Sequence, residues 1–211
     1  MKYPLASCLF GVLLAVFMGP SAGAAEESPV SPDDLVYCTV CHGMQLRGNR
    51  NIEAPRLSEM DAWYIEQQLV AFKNGWRGTH PQDLIGMEMR PMAAALNDTQ
   101  IKAAAKFAQA SRAPVPAATV DGDADAGRTH YSTCAACHGV DASGNEALGA
   151  PPLAGLNDWY LVRQLENFRD GVRGSHPDDL YGAQMRASAA LLPDDQAIRD
   201  VVAYITSLQT N

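Results

Sequence analysis

Two five-residue strings carry the chemistry of this chain. Cys38-Thr39-Val40-Cys41-His42 is answered 96 positions later by Cys134-Ala135-Ala136-Cys137-His138. Cys-x-x-Cys-His is the attachment signature of a c-type haem. Two thiols three positions apart share one helical turn, where each can add to a haem vinyl group. The histidine that follows is held under the porphyrin as a ligand of the iron. Cysteine pairs at this spacing also bind zinc or cycle as disulfides. A four-cysteine zinc site would leave both histidines without a role, and no strand precedes either motif as a thioredoxin-like site requires. The reading is two haems, attached through Cys38, Cys41, Cys134 and Cys137, with His42 and His138 on the irons.

A haem iron takes a sixth partner, and its identity separates a carrier from a catalyst. A methionine closes the site and raises the potential. A second histidine closes it at lower potential, and an open site admits small molecules. The first half offers Met87, Met89, Met92 and His80. In the second half Met185 is the one methionine after the motif, and it aligns with Met89, whereas Met87 and Met92 align with Ala183 and Ser188. The repeat therefore selects Met89 and Met185, with Met92 as the substitute in the first half. His80 and His176 are the rival pair, each in Gly-x-His-Pro-x-Asp-Leu. That phrase reads as a helix start, which makes both histidines surface or hydrogen-bonding residues. Arg77 and Arg173 repeat, as do Arg90 and Arg186, and each is a candidate partner of a haem propionate. Trp63-Tyr64 and Trp159-Tyr160 read as packing on the haem-bearing core, with a hydroxyl or indole N–H free to reach a propionate.

These residues need elements to hold them. Positions 38–100 and 134–196 align without a gap, and 29 of the 63 pairs are identical, so a whole haem domain is duplicated. Each half reads as a helix into the motif, starting at Ser31-Pro32 in the first and over 123–131 in the second. A long loop follows, 43–60 or 139–156, with a flat cofactor as the reason for its length. A helix over 61–74 or 158–170 is stopped by Gly75 or Gly171. A last helix closes each half, over 98–110 and 194–208. Pro and Ala between positions 111 and 118 read as a linker. No strand pattern stands out, so the fold is expected to be all-α. The division is a first domain over 26–112, a linker over 113–120 and a second domain over 121–211.

Residues 1–25 read as a cleaved secretory signal: Lys2, an apolar run over 8–19, then small residues. The apolar run is short for a membrane span. Leu5-Ala6-Ser7-Cys8 looks like a lipoprotein box but precedes the apolar run, so lipidation is set aside. Cys8 leaves with the signal, and the haems use the other four of the five cysteines, replacing disulfides as staples. Export with covalent haem points to the periplasm. The net charge of −8 argues against nucleic acid as a partner and suits docking to a basic patch on a redox protein.

With these features assembled, the chain resembles the dihaem cytochrome c4 family, tandem class I cytochrome c domains. The resemblance rests on the paired motifs, on Pro55-x-Leu57 and Pro151-x-Leu153, and on Gln-Leu-x-x-Phe-x-x-Gly in both halves. Met89 lies seven residues before Leu96, and Met185 seven before Leu192, a Leu that in the family opens the closing helix. The resemblance implies three or four helices about each haem, haems facing across the domain contact, and methionine as sixth ligand. It implies an electron carrier of the periplasm, often feeding terminal oxidases. The His-Pro-x-Asp-Leu phrase is not demanded by the family and leaves the partner open. The rival readings are a cytochrome subunit of a dehydrogenase or oxidase complex and a dihaem peroxidase-type enzyme. The near-symmetry of the halves argues against the enzyme.

Overall fold

The computed structural model describes residues 35–209, together with Met1. The expected signal peptide and the helix start at Ser31-Pro32 lie outside the described residues. The described residues fold as α1 (Cys38–His42), α2 (Ala62–Lys73), α3 (Leu84–Ala94), α4 (Asp98–Ala110), α5 (Ala124–His138), α6 (Asp158–Arg169), α7 (Leu180–Ala189) and α8 (Asp195–Ser207). Among them there is no strand, only the isolated bridges Asn49–Ala54 and Asn145–Ala150. The fold is all-α, as the sequence implies. No helix among the described residues is long and apolar enough to cross a membrane.

The helices form where the sequence places apolar residues three and four apart. In α2 the buried stripe is Ile65, Leu69 and Phe72; in α8 it is Ala197, Ile198, Val201, Val202 and Ile205. α5 crosses α8 at Gly127, where an added Cβ would fall 1.9 Å from the Asp200 carbonyl oxygen. Only glycine permits that approach, and it lets Tyr131 pack against Tyr204 with the rings tilted and their centroids 5.3 Å apart. Side-chain caps set several helix starts: Asn97 and Gln100 form a reciprocal capping box on α4, and Asp194 accepts from the Ala197 N–H on α8. The closing helices thus begin just after Leu96 and Leu192, which lie before the caps and do not open the helix.

The Gly-x-His-Pro-x-Asp-Leu phrase is a turn and a cap. The Nδ1 atoms of His80 and His176 accept from the backbone N–H groups of Gln82 and Asp178, at 3.3 and 3.2 Å. Asp83 and Asp179 then accept from the N–H groups of Gly86 and Gly182, which starts α3 and α7. Gly174, at φ 76°, packs so closely on the Gly182 carbonyl that a Cβ would fall 2.1 Å from its oxygen. The whole phrase repeats because it positions the two helices that carry the methionines.

The segment between the halves has no helix or strand, yet it is fastened. Arg56 donates to the carbonyls of Ala113 (3.0 Å) and Pro114 (2.6 Å). Asp158 accepts from the Thr119 N–H, from the Thr119 hydroxyl (2.8 Å) and from the Val120 N–H (2.7 Å). A Pro- and Ala-rich stretch is short of its own contacts, so its order comes from these buried side chains.

Burial pushes the Asp158 carboxyl up, but the donors from Thr119, Val120 and Trp159 outweigh it and leave the group below its ordinary value. A depressed carboxylate contributes stability above its unfolded pKa, about 3.9, and loses it as pH falls through the lower folded value. Protection of the Thr119 and Val120 amides, taken relative to the intrinsic exchange rate at each pH, is therefore expected to be high at neutral pH and to fall below about pH 4. Asp158→Asn should show low protection there at every pH, and unchanged protection in the variant would refute this role.

Candidate haem sites

Each motif lies at the C-terminal end of a helix, and a glycine with positive φ (Gly43, 76°; Gly139, 80°) turns the chain away. His42 and His138 are buried, while Cys41 and Cys137 are exposed and Cys38 and Cys134 half-buried. None of these four sulfurs is in a disulfide. Each imidazole is held by a bond to a loop carbonyl: His42 Nδ1 to Pro55 O at 2.7 Å and His138 Nδ1 to Pro151 O at 2.9 Å. The carbonyl can only accept, so Nδ1 carries the proton and Nε2 presents its lone pair to the pocket. Burial lowers the pKa of both histidines, against the opposing pull of the proline carbonyls. A neutral ring with a free Nε2 is the form an iron ligand needs.

Over each histidine opens a mostly apolar pocket. The first is walled by Leu57, Met60, Ile65, Leu69, Phe72 and Ile85, and it holds His42 and Met89. The second is walled by Leu153, Leu156, Leu161, Leu165, Phe168 and Leu192, and it holds Cys134, Cys137, His138 and Met185. His138 Nε2 lies 3.4 Å from Met185 Sδ. Met89 and Met185 sit in α3 and α7, each the sixth residue of its helix. Met92 is 43 % exposed and lines neither pocket, and His80 and His176 line neither. Met87 lines neither as well, so of the candidate sixth ligands named above only Met89 and Met185 line a pocket.

Between the pockets lies a buried polar lattice with the pseudo-symmetry of the repeat. Arg77 donates to Gln68 (2.8 Å) in its own half and to Gln164 (3.0 Å) and the Tyr160 hydroxyl (3.1 Å) across it. Arg173 donates to Gln164 (2.7 Å), then across to Gln68 (2.7 Å) and Tyr64 (3.2 Å). Each guanidinium also lies over a phenylalanine, Arg77 on Phe72 at 4.5 Å and Arg173 on Phe168 at 4.4 Å. Tyr64, Gln68, Tyr160 and Gln164 line both pockets. Burial raises the Tyr160 pKa, but the two arginines outweigh it and bring the group below its usual value. The Nε atoms of both arginines are buried with no hydrogen-bond partner. Each buried guanidinium is held mainly by neutral amides and phenols, with the Asp179 carboxylate also acting on Arg173, and its Nε–H is still to be paired. Haem propionates directed from the two pockets would meet that need, so the residues present fit the cofactor.

The sequence marks these arginines and tyrosines as polar contacts, whereas the glutamines between them enter only through the Gln-Leu-x-x-Phe-x-x-Gly phrase, with no contact assigned. Their signal was the repeat itself: Gln68 and Gln164 are identical residues at equivalent helix positions with no apolar reason to persist. Arg90 and Arg186 turn out exposed and outside both pockets.

A helical unit written twice, each copy with two thiols and a histidine facing a methionine across an apolar pocket, defines a c-type cytochrome with two covalent haems. The Cytochrome c family model matches residues 124–209, the second copy. The chain is 34 % identical over 186 residues to the thiosulfate dehydrogenase electron acceptor of Stutzerimonas stutzeri strain A1501, covering 82 % of this chain and 81 % of that one. It is 30 % identical over 200 residues to cytochrome c4 of Thiocapsa roseopersicina, covering 90 % and 92 %. The structure of Acidithiobacillus ferrooxidans cytochrome c4 aligns with a TM-score of 0.64 at 29 % identity, over 81 % of this chain and 98 % of that one. The chain belongs to the dihaem cytochrome c4 family. It is an electron-transfer protein, not an enzyme, and its partners are redox proteins.

Proposed function

We propose that Cys38 and Cys41 anchor the first haem and Cys134 and Cys137 the second. His42 with Met89 and His138 with Met185 supply the axial pairs. Bound haem supplies a one-electron ferric–ferrous couple. The chain supplies the rest. Pro55 and Pro151 carbonyls orient the imidazoles, the leucine and phenylalanine walls keep water off, and Arg77 and Arg173 hold the propionates. Each domain, 26–112 and 121–211, carries one such site, and the 113–120 segment joins them. A site closed on both faces passes electrons without binding oxygen or peroxide. The observation that carries this reading is the approach of His138 Nε2 to Met185 Sδ across the pocket.

The finer reading is a periplasmic shuttle, exported after loss of residues 1–25. It takes electrons from a dehydrogenase of sulfur oxidation, as the name of the Stutzerimonas stutzeri relative suggests, and delivers them to a terminal oxidase. The optical spectrum of the purified protein tests the ligands. Two c-type haems per chain are expected, both with the weak sulfur-to-ferric-iron charge-transfer band. Met92→Leu should leave that band at full intensity, because Met92 lines neither pocket. A band lost with Met92, or a high-spin signature on either haem, would sink the assignment. Reduction of the protein by a thiosulfate dehydrogenase tests the donor.

A further inference from the structure

The two halves share a backbone where the chain passes the exposed cysteine, but not a charge. Positions 43–52 read Gly-Met-Gln-Leu-Arg-Gly-Asn-Arg-Asn-Ile, and 139–148 read Gly-Val-Asp-Ala-Ser-Gly-Asn-Glu-Ala-Leu. The folds share their anchoring bonds, although the first loop makes a tight turn at Gln45 and Leu46, both with positive φ, where in the second only Ala142 has positive φ. The Gly48 and Gly144 N–H groups donate to the His42 and His138 carbonyls, both at 2.8 Å. Asn49 and Asn145 each accept from the N–H two residues on, at 3.2 and 3.1 Å. Gln45, Arg47 and Arg50 therefore occupy the places of Asp141, Ser143 and Glu146. The first loop holds two exposed arginines and no acid, and the second holds two exposed acids and no base.

The apolar centre is common to both faces. Met44 is 75 % exposed beside Cys41, and Val140 is 79 % exposed beside Cys137. Among the described residues, none of Arg47, Arg50, Asp141 and Glu146 enters an ion pair. The second half is also the more acidic as a whole: residues 26–112 hold nine Lys and Arg against eleven Asp and Glu, and residues 121–211 hold six against thirteen. The two loops of one carrier thus favour different partners, since like charges across a contact repel and complementary ones steer encounter.

We propose that the face around Cys137 docks a redox protein whose cofactor edge is rimmed by lysine and arginine. Asp141 and Glu146 form its acidic rim, and Val140 with Leu148 its apolar centre. The face around Cys41 has no acidic rim: Arg47 is exposed there, and Arg50 donates to the Thr119 hydroxyl at 2.8 Å, so this face rejects that partner and leaves its haem edge to a different one. The inference rests on the carrier reading, because it takes each exposed cysteine to mark a haem edge.

The test uses the holoprotein, isotope-labelled and reduced, with its haem content and spectrum checked first. Failure of the carrier reading would show at that stage, before any partner is added. The probe is a lysine-rimmed, basic class I cytochrome c as surrogate partner, titrated while amide shifts are recorded. Shifts confined to 139–148 and its surroundings are expected, with affinity falling about tenfold between ~0.01 and ~0.1 M ionic strength as the screening length shortens. Asp141→Asn with Glu146→Gln should abolish the shifts while leaving the optical spectrum unchanged. Arg47→Glu with Arg50→Glu should create a second set of shifts on 43–52. Shifts on both loops of the wild type, shifts on another acidic surface, or wild-type binding by the Asp141 and Glu146 double variant would each overturn the proposal.

Discussion

Met185→His is expected to lower the midpoint potential of one haem, and of one only, on the order of hundreds of millivolts, within the roughly 0.8 V that axial ligation commands. A thioether stabilises ferrous iron, whereas a second imidazole donates more strongly and favours the ferric state. The pocket places Met185 on the side that the His138 imidazole faces. The charge-transfer band should lose half its intensity, leaving the part contributed by Met89. The same substitution at Met92, on the exposed side of α3, should move neither potential. Measurement is a potentiometric titration followed optically. A variant in which both couples stay within a few tens of millivolts of wild type would show that Met185 does not ligate. A variant in which both couples fall together would show that the two sites are not independent.

The proposed ligand set was legible because the macrocycle dictates it. Cys38, Cys41 and His42 follow from spacing alone, and Met89 follows from lining up two halves that differ at 34 of 63 positions. The helices were legible where apolar residues recur and where Gly75 and Gly171 stop them. His80 and His176 were harder. A repeated histidine looks like a ligand, and only the turn shows that its ring nitrogen serves a backbone N–H two residues ahead. The lattice of Arg77, Arg173, Gln68 and Gln164 was not legible as a unit. Its bonds join residues 83 to 109 positions apart as well as near neighbours, and no local pattern encodes a contact between two copies of the same motif. The tether on 113–120 was hidden for the same reason, since position 158 reads only as a helix start and nothing local to Arg56 points to the distant carbonyls it binds.

That lattice carries the second large effect. Arg77→Leu is expected to lower the potentials of both haems, although Arg77 belongs to one half. Reduction removes a positive charge from the iron, so a nearby cation favours the ferrous state and its loss favours the ferric. A unit charge about 10 Å away at an effective dielectric near 20 amounts to tens of millivolts. Arg77 lines the first pocket and donates to Tyr160 and Gln164, which line both, so the change is shared. The variant also strips a donor from each glutamine carbonyl, and breaking a buried charged contact costs about 3 kcal/mol. Thermal unfolding should therefore fall with the potentials. Arg173→Leu should reproduce both effects by pseudo-symmetry, and Arg90→Leu, at an exposed position, should reproduce neither. A shift confined to the haem of the substituted half would mean that the two pockets are electrostatically separate and that the lattice only packs them together. A shift of both would make the arginine pair the element through which the oxidation state of one haem is felt at the other.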